Sequence, residues 1–144
     1  MNKAVWFLSL LVGAALVRTF VDHGYTFDRQ PGDTAMLKLA ERLDATLPQK
    51  INSSVTLWAV AFEDKALRAY YTYDDYGAPG DGRIVAMKQQ MRELGCNGAW
   101  KPVIDAGYRV QAEIGYVDEH GPRTTGTGVD GGDCVQATVI RRQP

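Results

Sequence analysis

The residues with the most reactive side chains are few and widely spaced. The chain contains two histidines, His23 and His120, and two cysteines, Cys96 and Cys134. A zinc protease helix needs the motif H-E-x-x-H, and many serine hydrolases carry their nucleophile in G-x-S-x-G. The sequence contains neither motif, and a disulfide between the two cysteines would leave no free thiol as a nucleophile. We therefore predict no catalytic residue, no metal site and no cofactor.

Acidic residues are more numerous, and two kinds of chemistry have to be weighed for them. The loop at 74–82 contains Asp74, Asp75 and Asp81, but it lacks the alternating order and late glutamate of an EF-hand. A small hydrolase that uses Asp74 or Asp75 with Glu113 stays an alternative, because a sequence does not show which carboxylates meet in space. We interpret the loop as a solvated connection.

The glycines Gly126, Gly128 and Gly131 match the pattern G-x-G-x-x-G. In a dinucleotide-binding fold these glycines open a helix directly after a strand. Here the residues that follow predict a turn at 130–133 and then a last strand that begins at Val135. We therefore interpret the match as accidental.

The first 21 residues predict export from the cytoplasm. Lys3 provides a positive start, and about 14 apolar residues follow, as in a signal peptide. Small residues at 12–15 offer early cleavage sites. The apolar run also extends to Val21, about the length of a membrane span. We therefore predict that the segment 1–21 is a cleaved signal peptide or an anchor that holds residues 4–21 in the inner membrane, and in both cases the rest faces the periplasm or the cell exterior. A buried N-terminal helix of a cytosolic protein is the third, less favoured interpretation.

The remaining chain predicts one domain. Residues 22–32 form a polar spacer that contains glycine and proline, and residues 33–144 are enough for one hydrophobic core. Without the leader the chain has 14 basic and 17 acidic residues, because Lys3 and Arg18 are two of its 16 basic residues. This charge balance excludes the concentrated basic surface that nucleic-acid binding needs.

The two cysteines predict one disulfide, Cys96–Cys134. Exported proteins reach an oxidising compartment, where paired cysteines form disulfides. The rival interpretation, a metal or redox pair, lacks a Cys-x-x-Cys spacing. The bridge would join the end of a helix to the last part of the sheet.

Hydrophobic periodicity predicts the order helix, hairpin, helix, hairpin. The first helix begins after Asp33 as its N-cap, and the second ends at Gly95 as a C-terminal cap directly before Cys96. The strand Val55–Phe62 is apolar at nearly every position, which predicts burial on both sides. The predicted fold class is α+β: an N-terminal signal or anchor helix, then a helix packed on a four- to five-stranded antiparallel sheet, with one disulfide.

A cluster of aromatic and acidic residues follows the first hairpin. Tyrosine offers a large contact area with a polar tip, so it is common in protein interfaces. The candidate binding surface consists of Tyr70, Tyr73, Tyr76, Asp74 and Asp75. Ordinary packing of strand tyrosines is the alternative interpretation.

Several residues resemble a pattern found in small exported bacterial proteins of uncharacterised function. The resemblance covers Thr34 to Cys134 and includes Cys96 after the second helix, Asp105-Ala106-Gly107 before an aromatic strand, Asp118 and Gly121 in a turn, and Asp133-Cys134. The leader, the Asp130–Asp133 segment and the tail depart from it. The architecture also resembles cystatin-like and NTF2-like α+β folds, which host inhibitors, envelope subunits and some enzymes.

These observations favour an exported binding or accessory protein of the cell envelope, with another envelope protein as its partner and no nucleic acid. A soluble periplasmic inhibitor or immunity-type protein is the alternative, and a small hydrolase is less favoured. The expected location is the periplasm, in soluble form or anchored to the inner membrane, with secretion as a further option.

Overall fold

The computed structural model describes residues 30–135, so the predicted leader lies outside the described residues. The helices are α1 (Asp33–Asp44), α2 (Asp81–Asn97) and α3 (Lys101–Asp105), and the strands are β1 (Gln49–Lys50), β2 (Val55–Glu63), β3 (Ala66–Tyr73), β4 (Arg109–Asp118) and β5 (Gly121–Val129). Residues 131–135 are also helical. The α+β class and the order helix, hairpin, helix, hairpin are confirmed. In the described part of the chain, no helix has the length and apolar character that crossing a membrane requires.

The five strands form one sheet in the order β1-β2-β3-β4-β5. The pairs β1–β2, β2–β3 and β4–β5 are antiparallel, whereas β3 and β4 are parallel, with Leu67 opposite Val110 and Tyr71 opposite Ile114. The prediction of a purely antiparallel sheet is therefore wrong at its centre. Because α2 and α3 carry the chain from the end of β3 back to the level of its start, β4 runs in the same direction as β3.

The core lies between the three helices and one face of the sheet. The buried residues on the helices are Met36, Leu39, Ala40, Leu43, Met87, Met91, Val103 and Ile104, and those on the central strands are Leu67, Ala69, Tyr71, Val110, Ala112 and Ile114. On the opposite side of these strands lie Arg68, Tyr70 and Thr72 of β3, each beside Gln111, Glu113 or Gly115 of β4. We call this second side the open face of the sheet.

A β-bulge at Trp58 corrects the prediction for β2. Leu57 pairs with Tyr71 and Ala59 pairs with Tyr70, so Trp58 has no partner in the register. An extra residue reverses the alternation of side chains along a strand. Leu57 and Val60 are therefore both buried, whereas Trp58 is 52% exposed. The strand is therefore buried on one side only. Its apolar run looks continuous because inward-facing and outward-facing positions alternate differently before and after the bulge.

The first helix begins differently from the prediction. Gly32 occupies the N-cap position and Asp33 is the first helical residue, with no side-chain hydrogen bond to the helix backbone. The carboxylate of Asp33 instead accepts hydrogen bonds from Lys65 and Tyr108. It therefore connects the start of α1 to the β2–β3 turn and to the residue that precedes β4.

The second helix continues through Gly95, so the predicted cap is also wrong. The helix ends at Asn97, and Cys96 lies in its last turn. A Cβ at Gly95 would lie 3.1 Å from Ile104 Cγ1 and from Val129 Cγ1. Glycine is therefore present because α2 approaches α3 and β5 closely at this point, and it does not end the helix.

The residues that follow β5 contradict the predicted turn and strand. Residues 131–135 are helical, and the rest of the predicted last strand lies outside the described residues. The backbone N–H of Asp133 donates to Asp130 Oδ1, and the N–H of Asp130 donates to Asp133 Oδ2. These reciprocal bonds act as a capping box and satisfy amides at the helix start. The predicted disulfide between Cys96 and Cys134 is confirmed and holds this segment to α2.

Candidate functional site

A groove of about 580 Å³ crosses the open face where β3 and β4 end and β5 begins. It is lined by Trp58, Thr72, Tyr73, Asp74, Gly115, Tyr116, Val117, Pro122, Arg123 and Thr124. We call it the Trp58 groove. Its residues come from four strands and from the start of the loop after β3, so only the folded sheet brings them together.

The floor of the Trp58 groove is made by a glycine. Gly115 lies between Thr72 on β3 and Thr124 on β5 in the register of the sheet. A Cβ at this position would meet Tyr71 O at 3.8 Å, an ordinary contact. The missing side chain therefore deepens the groove without being required by the packing beneath it.

The exposed indole of Trp58 is held in place by hydrogen bonds. Its Nε1–H donates to Thr72 Oγ1 at 2.6 Å, and the Thr72 hydroxyl donates to Asp74 Oδ1 at 3.1 Å. Thr56 Oγ1 donates to the other oxygen, Asp74 Oδ2, at 3.0 Å. A ring whose polar atom is already bonded needs little reordering on contact with a ligand, which reduces the entropy cost of binding.

The opposite wall is formed by the end of β4 and the start of β5. Val117 is 50% exposed, and Pro122 pairs with it across the two strands. Arg123 also lines the groove, with its Nε 3.5 Å from Asp118 Oδ2. The lining of the groove therefore combines the apolar side chains of Val117 and Pro122 with the carboxylate of Asp74 and with Arg123, whose charge is paired.

The five residues of the predicted binding surface lie near the Trp58 groove but do not form one patch. Asp74 lines the groove, Tyr70 lies on the open face opposite Glu113, and Tyr76 is 75% exposed. The Tyr73 hydroxyl accepts a hydrogen bond from Arg83, while Asp75 accepts one from Ser54. The backbone N–H of Gly77 donates to Val117 O, which places this loop beside β4. The binding role of the five residues stays a prediction.

Sequence reasoning missed the residues that shape the groove, namely Trp58, Gly115 and Arg123. A signal for Trp58 was present, because a tryptophan among small and β-branched residues of a strand lies either in the core or on a contact surface. The bulge decides between these two states, and its position cannot be found without the register of the neighbouring strand.

Other chemistry has weaker support in the described residues. Glu113 lies opposite Tyr70, Asp74 accepts hydrogen bonds from Thr72 and Thr56, and Asp75 accepts one from Ser54. The hydrolase alternative stays a prediction. Between residues 30 and 135, no group of three or more His, Cys, Asp or Glu side chains is arranged to hold a metal ion. Gly126 and Gly128 pair with Glu113 and Gln111 inside β5, so they form no phosphate-binding loop although helical residues follow them.

A second polar cluster lies at the other end of β3. Lys65 Nζ is 2.6 Å from Asp33 Oδ2, and the Tyr108 hydroxyl donates to Asp33 Oδ1 at 2.5 Å. The hydrogen bond to Asp33, together with burial, raises the pKa of Tyr108 to about 12. The hydrogen bonds from Lys65 and Tyr108 hold the pKa of Asp33 below its usual value. Asp64 and Lys65 have φ values of 51° and 61°, as in a tight hairpin turn.

We expect Asp33→Asn to lower the pKa of Tyr108 from about 12 towards its ordinary value near 10. The neutral amide no longer favours the protonated phenol, whereas burial still does. Because the folded pKa of Tyr108 is the higher one, its contribution to stability is present below about pH 10 and is lost as pH rises towards 12. The measurement is the tyrosinate absorbance of the full chain during an alkaline titration.

The Tyr108→Phe variant identifies the titration step that belongs to this residue. An unchanged step in Asp33→Asn would show that the hydrogen bond does not control the phenol. Asp33 has the opposite pH dependence. Because its pKa is lowered in the folded state, its contribution to stability is present above about pH 4 and is lost as pH falls further.

Comparisons with known proteins identify the fold but no family. No protein-family model matches the chain, and a search of curated proteins also finds no match. A solved structure from Pseudomonas aeruginosa, of a protein provisionally described as secreted, is 13% identical and has a TM-score of 0.56. The match covers 70% of this chain and 90% of that chain.

A second solved structure with the same fold is the pilotin EpsS of the type 2 secretion system of Vibrio vulnificus. It is 13% identical with a TM-score of 0.53, and the match covers 71% of this chain and 90% of that chain. At such identities the likeness shows a shared fold and nothing about the site. The resemblance to cystatin-like and NTF2-like folds stays a prediction.

Proposed function

We propose that this protein is an exported, non-catalytic accessory protein of the bacterial cell envelope, and that it binds a segment of another envelope protein in the Trp58 groove. The observation that carries the proposal is the indole of Trp58, which is 52% exposed and fixed by Thr72 at the edge of the groove. Exposed tryptophan with an ordered position is typical of residues that dominate protein interfaces.

Two further observations support export and an envelope role. The disulfide Cys96–Cys134 fits an oxidising compartment such as the periplasm. The two structures of the same fold are a protein provisionally described as secreted and a secretion-system pilotin. Both agree with the export signal predicted for residues 1–21.

The position of the groove also suits a protein held at a membrane by its N-terminus. The described chain begins beside the β2–β3 turn, where Asp33 contacts Lys65, and the groove lies beside Thr72 at the other end of β3. A strand of 8 residues spans about 25 Å. If residues 4–21 anchor the protein, this distance separates the groove from the point where the tether enters the domain.

A site-specific crosslinking experiment tests the proposed function. A photoreactive amino acid replaces Thr124, an exposed residue of the groove, in the full chain expressed in its native host. We expect a crosslink to one envelope protein. Gly115→Leu fills the floor of the groove and should remove the crosslink, and Trp58→Ala should weaken binding at least about tenfold, as interface tryptophans often do.

The matched control is Leu37→Ala, which truncates an apolar side chain of similar exposure, 47%, on α1. This variant should leave the crosslink unchanged. Thermal unfolding of each variant shows that the domain remains folded. A crosslink that survives both Gly115→Leu and Trp58→Ala would contradict a binding role for the groove.

The soluble inhibitor or immunity-type function is a second candidate. Tyr76 is 75% exposed on the acidic loop after β3, a position that suits contact with an enzyme. In that case the crosslinked partner is an enzyme, and adding the purified protein in equal amount abolishes its activity. A partner without such inhibition favours the accessory function.

A further inference from the structure

The Trp58 groove has an unbalanced charge on the wall that carries the indole. Asp74 is exposed, and its two oxygens accept hydrogen bonds from the neutral hydroxyls of Thr72 and Thr56. No lysine or arginine within residues 30–135 forms an ion pair with this carboxylate. Its negative charge therefore stays available to a ligand.

The neighbouring charges increase this imbalance. Asp75 is exposed and accepts a hydrogen bond from the Ser54 hydroxyl, which brings no positive charge. Arg123, which also lines the groove, has its Nε 3.5 Å from Asp118 Oδ2, so its charge is balanced by that carboxylate. The charges around the groove therefore favour a positively charged ligand group.

The indole adds a second feature that favours cations. Tryptophan has the most attractive ring face for a lysine or arginine side chain. Two other rings of the described residues already have a cation nearby: Arg83 Cζ lies 5.5 Å from the centroid of the Tyr73 ring, and Lys65 Nζ lies 5.9 Å from the centroid of the Tyr108 ring. In the described part of the chain, the Trp58 ring receives no such contact. An exposed indole and an unpaired carboxylate, linked through Thr72, thus lie side by side.

We propose that the Trp58 groove binds a basic side chain of its partner, above all an arginine, which stacks on Trp58 and pairs with Asp74. This inference rests on the proposed function and names the chemistry of the bound segment. Arginine suits the site better than lysine, because its planar guanidinium can stack on a ring and also donate two parallel hydrogen bonds to a carboxylate.

Other occupants fit the groove less well. An acidic or phosphorylated segment would place like charges beside Asp74 and Asp75. A purely apolar segment would remove water from the Asp74 carboxylate without replacing the lost hydrogen bonds, which is costly. A basic side chain with an aliphatic stem satisfies both the apolar wall and the carboxylate.

A titration with two small probes tests the inference. The probes are N-acetyl-arginine amide and N-acetyl-citrulline amide, which have the same shape but differ in charge. The readout is the indole N–H resonance of Trp58 in the full chain, assigned with Trp58→Phe. We expect saturable binding of the arginine probe with Kd about 1 mM, the level of a weak single-residue contact, and at least about fivefold weaker binding of the citrulline probe.

Variants of two exposed carboxylates provide the matched pair. Asp74→Asn should weaken the arginine probe at least about fivefold, whereas Glu63→Gln, which removes the same charge at the other end of β2, should change its affinity less than about twofold. Equal affinity of the two probes, equal effects of the two variants, or tighter binding of N-acetyl-glutamate amide would each overturn the inference.

The crosslinking experiment separates this inference from the proposed function. If Gly115→Leu removes the crosslink but the arginine probe does not bind, the groove is a protein-binding site and its preference for a basic side chain is refuted. If the arginine probe binds through Asp74 but the crosslink survives both Gly115→Leu and Trp58→Ala, the basic preference holds and the proposed protein-binding function is refuted.

Discussion

Replacing Cys96 and Cys134 together by alanine is expected to lower the free energy of unfolding by about 4 kcal/mol. The disulfide closes a loop with a sequence separation of 38, so it restricts the unfolded chain strongly. In the chain-entropy model this restriction accounts for most of the stabilisation. Urea unfolding of the oxidised wild-type protein and of the double variant measures the difference.

Reduction provides the control for this prediction. A thiol reductant should destabilise the wild-type protein by about the same amount and should leave the double variant unchanged. Asp133 also pairs with Lys88 and Arg92 on α2, at 3.7 and 3.6 Å, so the ends of the bridge have a second connection. If the double variant were as stable as the oxidised wild type, these contacts rather than the disulfide would hold the segment in place.

Gly126→Ala is expected to lower the free energy of unfolding by about 2 kcal/mol. A Cβ at this position would lie 2.6 Å from Ala112 O, which belongs to the backbone of β4 and cannot rotate away. The strands must then separate or twist, which weakens the β4–β5 pairing. Chemical unfolding measures the loss.

The matched control is Gly115→Ala, on the adjacent strand and the same face of the sheet. Its Cβ would lie 3.8 Å from Tyr71 O, an ordinary contact. We expect its stability to be unchanged or raised by up to about 1 kcal/mol, because alanine reduces the conformational freedom of the unfolded chain. Equal losses in the two variants would show that the close approach at Gly126 is not the cause.

The two glycines also differ in what they imply for function. Gly126 is required by the approach of two backbones, so its role is structural. Gly115 has room for a side chain, and the lack of a side chain at this position deepens the Trp58 groove. A fold-preserving substitution is therefore possible at the floor of the candidate site, and this property makes Gly115→Leu an informative test of binding.

Much of the fold could be predicted because it depends on residues close together in the chain. The stripe that contains Met36, Leu39 and Leu43 predicts a helix by its spacing, and these residues are buried in α1. The alternation through Val110, Ala112 and Ile114 likewise predicts β4 with one buried side. Two cysteines in a chain with a predicted export signal predict one disulfide without any three-dimensional information.

The errors share a different cause, which is contact between residues far apart in the chain. Asp33 is of a residue type that is common at helix N-caps, but its carboxylate accepts hydrogen bonds from Lys65 and Tyr108 and does not cap the helix. Gly95 resembles a helix end, but Ile104 and Val129 require its small size. Local propensity cannot distinguish these roles, because the deciding atoms belong to other elements.

The sequence by itself thus determined the α+β class, the order of elements and the disulfide, since periodicity and cysteine pairing are carried by short segments and composition. Only the tertiary structure decided the parallel pairing at the centre of the sheet and the site on its open face. The Trp58 groove exists because a bulge turns Trp58 outward and because Thr72, Gly115 and Thr124 share one row across three strands. Strand register is a property of the folded sheet, so no single segment encodes it.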